Sequence, residues 1–198
     1  MRRALPFLAA ALVLTACAES TPGTPSAGSA PTTTASGSSQ PSGSAKPSTS
    51  ATPKKRPKTI NIKDVDPCTL LAASARQQLG LDAEPKATRN DLYRSPACDV
   101  GRRDFKYSVQ IVTVTTVGLN WYFDGSFDVE PTAAEIGGFP GVYATNAKNP
   151  FHCYAAIDVS DGQMVDVLAS SLGQNLKPDQ LCELARNAAT EVVATLMK

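Results

Sequence analysis

Residues 153–169 read Cys-Tyr-Ala-Ala-Ile-Asp-Val-Ser-Asp-Gly-Gln-Met-Val-Asp-Val-Leu-Ala, two apolar runs on either side of Ser160, Asp161 and Gly162. How these runs pair decides the fold. A two-residue loop would set Ile157 opposite Asp166. A three-residue loop with Gly162 in the left-handed region instead sets Ile157 opposite Val165, Ala155 opposite Val167 and Cys153 opposite Ala169. Because side chains alternate with period two, only the second register keeps one face of the hairpin apolar throughout. The stretch therefore predicts an antiparallel hairpin in that register.

Downstream, helical spacing over about 178–197 gathers Leu181, Cys182, Ala185, Ala189, Val192, Val193 and Leu196 onto one face. Upstream, Phe105, Tyr107, Val109 and Ile111 alternate with Lys106, Ser108 and Gln110, which predicts a half-buried strand continuing to about residue 117. Shorter strands are expected over 98–102, with Arg103 and Asp104 in the following turn, and over about 142–145, after Gly137, Gly138, Pro140 and Gly141. A first helix is expected from Asp66, with Pro67 in its first turn, Leu71, Ala75 and Leu79 at helical spacing, and Gly80 to end it. Together these elements predict an α+β domain, an antiparallel sheet of about five strands with the N- and C-terminal helices packed on one face.

The chain of 198 residues opens with Arg2 and Arg3, an apolar run over 4–14, and then Leu14, Thr15, Ala16 and Cys17. A charged start, a short apolar segment and small residues before a cleavage point are the marks of a secretory signal. The run falls short of the roughly 20 apolar residues that span a bilayer. Residues 1–16 are accordingly read as a lipoprotein signal peptide and Cys17 as the residue that receives a diacylglyceryl anchor. Residues 17–58 form a tether of Ser, Thr, Pro, Ala and Gly with no periodic apolar face. About 40 flexible residues reach roughly 35 Å, which would hold the domain off the membrane. The tether closes on Lys54, Lys55, Arg56 and Lys58, and residues 59–198 make one domain large enough to bury a core. The expected location is the extracytoplasmic face of the cell membrane.

In an exported chain the four remaining cysteines form a disulfide framework. The hairpin register puts Cys153 on the core face of a strand, and Cys182 lies on the inward face of the helix that covers it. Cys153 thus pairs with Cys182, leaving Cys68 with Cys98. Each bridge closes a loop of roughly 30 residues and stabilises by about 4 kcal/mol in the chain-entropy account. No Cys-x-x-Cys or zinc-ligand spacing occurs.

Asp66-Pro67-Cys68 with Leu70 and Leu71, Cys98 in the first strands, the Gly137-Gly138 turn, Cys153 opening an alternating strand and Leu181-Cys182-Glu183-Leu184-Ala185 in a final helix resemble the lipoproteins of domain-of-unknown-function family 3558. The resemblance spans the folded domain and includes the signal and tether. It implies a lipid-anchored envelope protein of a Gram-positive actinobacterium, with no activity and no catalytic residues to carry over.

Charge and motifs narrow the function classes. The chain carries 19 Lys and Arg against 18 Asp and Glu, a net charge of +1. That balance lacks the basic surface that neutralises phosphates, so no nucleic-acid partner is expected. His152, the one histidine, adjoins Cys153, which as a disulfide has no thiolate to offer. Asp124, Ser126, Asp128, Glu130 and Glu135 fall at positions 1, 3, 5, 7 and 12 of a calcium loop, but Val129 replaces the glycine of position 6 and Pro131 occupies position 8. No catalytic set, metal site or cofactor is expected. Trp121, Tyr122, Phe123 and Phe127 lie in a connection between strands beside Gly125 and are read as a candidate binding surface, the alternative being that Trp121 and Phe123 cap an open end of the sheet. The leading expectation is a non-catalytic binding or accessory module that engages an envelope lipid, a glycan or a membrane-protein partner. The alternatives are an envelope enzyme using the carboxylates near the aromatic loop and a purely structural surface protein.

Overall fold

The computed structural model describes residues 55–173 and 175–198. The signal over 1–16, the anchor at Cys17 and the tether as far as Lys54 lie outside these residues. Seven strands form one antiparallel sheet: β1 (Lys86–Asn90), β2 (Ser95–Gly101), β3 (Tyr107–Val114), β4 (Glu130–Ile136), β5 (Phe139–Asn146), β6 (Asn149–Ser160) and β7 (Gln163–Ser171). Their order is β1-β2-β3-β7-β6-β5-β4, so the chain crosses from β3 to the far edge and returns to place β7 at the centre. The fold is mostly β, with more strands than the five expected. The two additional strands are the two edges. β1 is Lys-Ala-Thr-Arg-Asn, and β4 carries Glu130, Pro131 and Glu135. Charge and proline blunt an exposed edge against further pairing, and they also erase the alternation by which a strand is recognised.

The β6–β7 hairpin adopts the expected register, with Ile157 opposite Val165, Ala155 opposite Val167 and Cys153 opposite Ala169. Gly162 is left-handed, at φ +69°. Ser160 pairs with Gln163, and the register shifts between Ser160 and Asp158, so a bulge takes up the extra residue beside a tight Asp161-Gly162 turn.

The expected N-terminal helix does not form as one element. Asp66 accepts from the Cys68 N–H at 2.9 Å and caps a 3₁₀ turn, Pro67–Thr69. The backbone then extends at Ala72, ψ 153°, and a six-residue helix α1 (Ala73–Gln78) follows. Continuous helix would turn successive side chains about 100° apart. The break instead lets adjacent Leu70 and Leu71 both enter the core, at 2% and 3% exposure, while Cys68 reaches Cys98. The third strand also begins later than expected. Phe105 sits in the turn before it at φ +58° and is 75% exposed, so only Tyr107, Val109 and Ile111 of the expected face lie on it.

Helix α2 (Pro178–Leu196) buries Leu181, Leu184, Ala185, Ala188, Ala189, Val192 and Val193. It packs with the N-terminal segment over Val109, Ile111, Cys153, Ala155, Ile157, Val165, Val167 and Ala169, forming the first core. Both disulfides, Cys68–Cys98 and Cys153–Cys182, tie this layer to the sheet. The β4–β5 turn closes against the same helix. Gly137, at φ +57°, brings its backbone so near Val193 that a Cβ would lie 2.5 Å from Cγ1.

The opposite face carries a second core of Tyr93, Ala97, Val112, Val114, Tyr122, Val142, Ala144, Ala156 and Met164. It is roofed by the crossover between β3 and β4, which includes the 3₁₀ turn Leu119–Tyr122. Both cores and both disulfides are formed among the described residues. No helix among those residues is long and apolar enough to cross a membrane.

Candidate functional site

The aromatic group divides. Tyr122 is 1% exposed and belongs to the second core, Trp121 and Phe127 are half-buried against it, and Phe123 alone is open to solvent. The expected binding surface is thus chiefly a roof. Tyr122, Phe127 and Tyr154 meet edge to face with ring centroids 5.0 to 6.4 Å apart, and Trp121 meets Tyr93 at 6.3 Å. Under this roof lies Asp166 on β7, between Val112 of β3 and Ala156 of β6. The Tyr122 hydroxyl donates to its carboxylate at 2.7 Å. Burial pushes the Asp166 carboxyl up to about 6, and burial beside that carboxylate raises Tyr122 and Tyr93. The Tyr93 hydroxyl faces the same pair without closing a hydrogen bond of normal geometry. With Asp166, Tyr122 and Tyr93 all below 5% exposure, this knot is sealed from solvent and organises the core.

The carboxylates of the aromatic loop do not converge. Asp124 accepts from the Ser126 N–H at 2.8 Å, and this contact with Ser126 holds its carboxyl below the ordinary range. Asp128 pairs with Lys148 at 2.6 Å. Glu130 and Glu135 stand near opposite ends of β4, across from Thr145 and Pro140. Five residues of strand separate them by roughly 16 Å. Among the described residues no group of three or more His, Cys, Asp or Glu is placed to hold a metal.

The two ends of the sheet differ. At one end the chain joins the domain: Arg56 pairs with Asp158 at 2.7 Å and with Asp161 of the β6–β7 turn, and the Ile60 N–H donates to Val159 O at 2.8 Å. At the other end, a β6 length of roughly 36 Å away, the chain leaves apolar side chains uncovered. Phe105 is 75% exposed, Leu172 61% and Phe151 37%. The Leu172 N–H donates to Lys106 O at 3.0 Å, which sets Leu172 beside the Phe105 turn. The Leu176 N–H donates to Ser171 Oγ at 3.2 Å and starts α2 from the same end.

Around the first turn of α2 runs a shallow groove. Its widest part, about 360 Å³, is lined by Pro150, Phe151, Leu176, Lys177 and Pro178. Through Pro150 and Pro178 it continues into a recess of about 200 Å³ that His152 and Cys182 line, and through Leu176 into one of about 210 Å³ against Tyr107 and Glu183. His152 is half-buried, near Asn149 Nδ2 at 3.1 Å, and burial lowers its pKa. Sequence reasoning passed over this rim. Alternation alone places Phe105 in the strand, and Phe151, Leu172 and Leu176 border turns with no motif to mark them. The signal that existed was the turn Arg102-Arg103-Asp104-Phe105-Lys106, where a bulky apolar residue sits among charges.

Residues 12–195 match the family described as a protein of unknown function, DUF3558, and the chain belongs to that family. No curated protein and no solved structure matches it.

Proposed function

We propose that this DUF3558 protein is an envelope lipoprotein, anchored through Cys17, whose disulfide-tied domain binds a ligand or membrane-protein partner without catalysing a reaction. The observation that carries the reading is the apolar rim of Phe105, Leu172 and Phe151 at the end of the sheet opposite the point where the chain joins the domain. Exposed large side chains gathered at one place mark an interaction surface, whereas singly scattered ones do not. Phe105 adds a second support. A bulky residue in the left-handed region is strained, and such strain collects at functional sites. The tether of the sequence reading suits the same role, because a domain on a long flexible leash searches a volume set by that leash at high effective concentration.

Native mass spectrometry of the chain purified from its own envelope tests the reading. The expected result is a diacylglyceryl mass on the Cys17 peptide and a companion retained by the wild type but lost from Phe105→Gly with Leu172→Ser. A bare, unlipidated chain, or a companion retained equally by that variant, would overturn it.

A further inference from the structure

We infer that the groove at the start of α2 takes a single-chain anionic amphiphile, its acyl segment against Pro150, Phe151, Leu176 and Pro178 and its head group at Lys177. The inference rests on the binding-module reading and names the ligand class of that site. Four of the five lining residues of the widest part are apolar, and the fifth is a cation. An apolar trough with one charged group at its rim matches a molecule that is apolar along most of its length and charged at one end.

Lys177 supplies the one charge among the residues that line the widest part of the groove. At the same end of the sheet, Arg102 and Lys106 are paired with Asp104 at 3.0 and 3.3 Å, and Lys148 with Asp128 at 2.6 Å. Among the described residues Lys177 forms no ion pair. The acidic groups nearest in the chain are Asp179, exposed in the first turn of α2, and Glu183, which lines the recess on the Tyr107 side rather than the widest part. The exposed Leu172 and Phe105 lie at the same end of the sheet as the trough, Leu172 being set beside the Phe105 turn by its bond to Lys106 O.

The test uses the disulfide-bonded chain from Ala18 onward, which lacks the apolar leader and the lipid and retains both cores. Myristate is titrated below its aggregation threshold, and uncharged monomyristoylglycerol serves as the equal-chain control, with amide chemical shifts as the readout. The expected result is saturable binding of both, with shifts centred on Phe151, Leu176, Lys177 and Gln180. Lys177→Gln should weaken myristate by about fivefold, the upper reach of a surface ion pair, and leave monomyristoylglycerol unchanged. Phe151→Ser should weaken both. No saturable binding, shifts centred elsewhere, or an equal effect of Lys177→Gln on the two probes would overturn the inference. Those failures leave the broader reading standing if a companion is still retained through Phe105 and Leu172, and loss of the companion from the wild type removes both.

Discussion

The Tyr122 hydroxyl donates a 2.7 Å hydrogen bond to the Asp166 carboxylate, joining the roof of the second core to the central strand. The carboxylate is 2% exposed, and its folded-state pKa is raised from 3.8 to about 6, chiefly by desolvation. The folded protein therefore holds a proton over a range in which the unfolded chain has released it. Stability from this group is fully present below about pH 4 and is lost as pH rises through about 6. Urea unfolding should give a wild type less stable at pH 7 than at pH 5 by roughly 1 kcal/mol from this source. Asp166→Asn should flatten that slope. An unchanged slope in the variant would remove Asp166 as its origin.

Tyr122→Phe keeps the ring and deletes the donor. The variant should lose about 1 to 3 kcal/mol near neutral pH, the penalty of leaving a buried acceptor unpaired. Asp166 should then be pushed still higher, and the loss of stability with rising pH, which begins near the unfolded pKa in both proteins, should continue to a higher pH than in the wild type. A variant as stable as the wild type at pH 7 would contradict this.

Gly137 tests the packing of the β4–β5 turn on α2. Its φ of +57° disfavours any side chain, and a Cβ would lie 2.5 Å from Val193 Cγ1. Gly137→Ala should destabilise by about 2 kcal/mol or more, strain and clash together. Combining it with Val193→Ala should recover the clash but not the strain. Strict additivity of the two changes would show that the turn and helix do not press on each other.

Replacing Cys153 and Cys182 by Ala opens a loop of sequence separation 29. The change should lower stability by about 4 kcal/mol, apart from any packing loss. Hydrogen exchange should rise first in the opening turns of α2, around Leu181 and Glu183, because this bridge fastens that end of the helix to β6. Uniform acceleration across the whole of α2 would argue that the bridge does not hold the end selectively.

Arg56 bonds Asp158 and Asp161 where the chain joins the domain. Arg56 is half-buried but its partner Asp161 is 95% exposed, so Arg56→Ala should change global stability by about 1 kcal/mol. The amide of Ile60, bonded to Val159 O, and that of Ile62, bonded to Gln163 Oε1, should exchange faster. Protection unchanged at both amides would place the hold on this segment elsewhere.

The legible parts of the fold were those where one face is buried and the other is not. The β6–β7 register followed from the need to keep Asp166 away from Ile157, and that register led to the Cys153–Cys182 bridge. The edge strands were illegible because the charge and proline that protect them also remove their pattern. The N-terminal segment carries a helical signal, since Leu71, Ala75 and Leu79 recur at helical spacing, yet it forms no single helix. The need to bury both Leu70 and Leu71 breaks the helix, and that need is set by the sheet rather than by local spacing. The aromatic loop reads in the sequence as either a candidate surface or a cap on the open end of the sheet, because nothing in the local sequence announces a second core. The clue was in β7, where Met164 and Leu168 are apolar on the face opposite Val165 and Val167, so both faces of the strand required cover. The rim of Phe105, Leu172 and Phe151 arises where three separate turns meet, a juxtaposition that only the folded chain provides.

The central claim is that the end of the sheet carrying Phe105 and Leu172 is the binding end. The most direct measurement places a photoreactive side chain at Leu172, and in a second strain at Glu130 on the far edge strand, and crosslinks both in living cells of the native host. The account predicts one discrete, saturable adduct from position 172, abolished by Phe105→Gly, and no such adduct from position 130. The same adduct from both positions, or an adduct from position 130 alone, would contradict it.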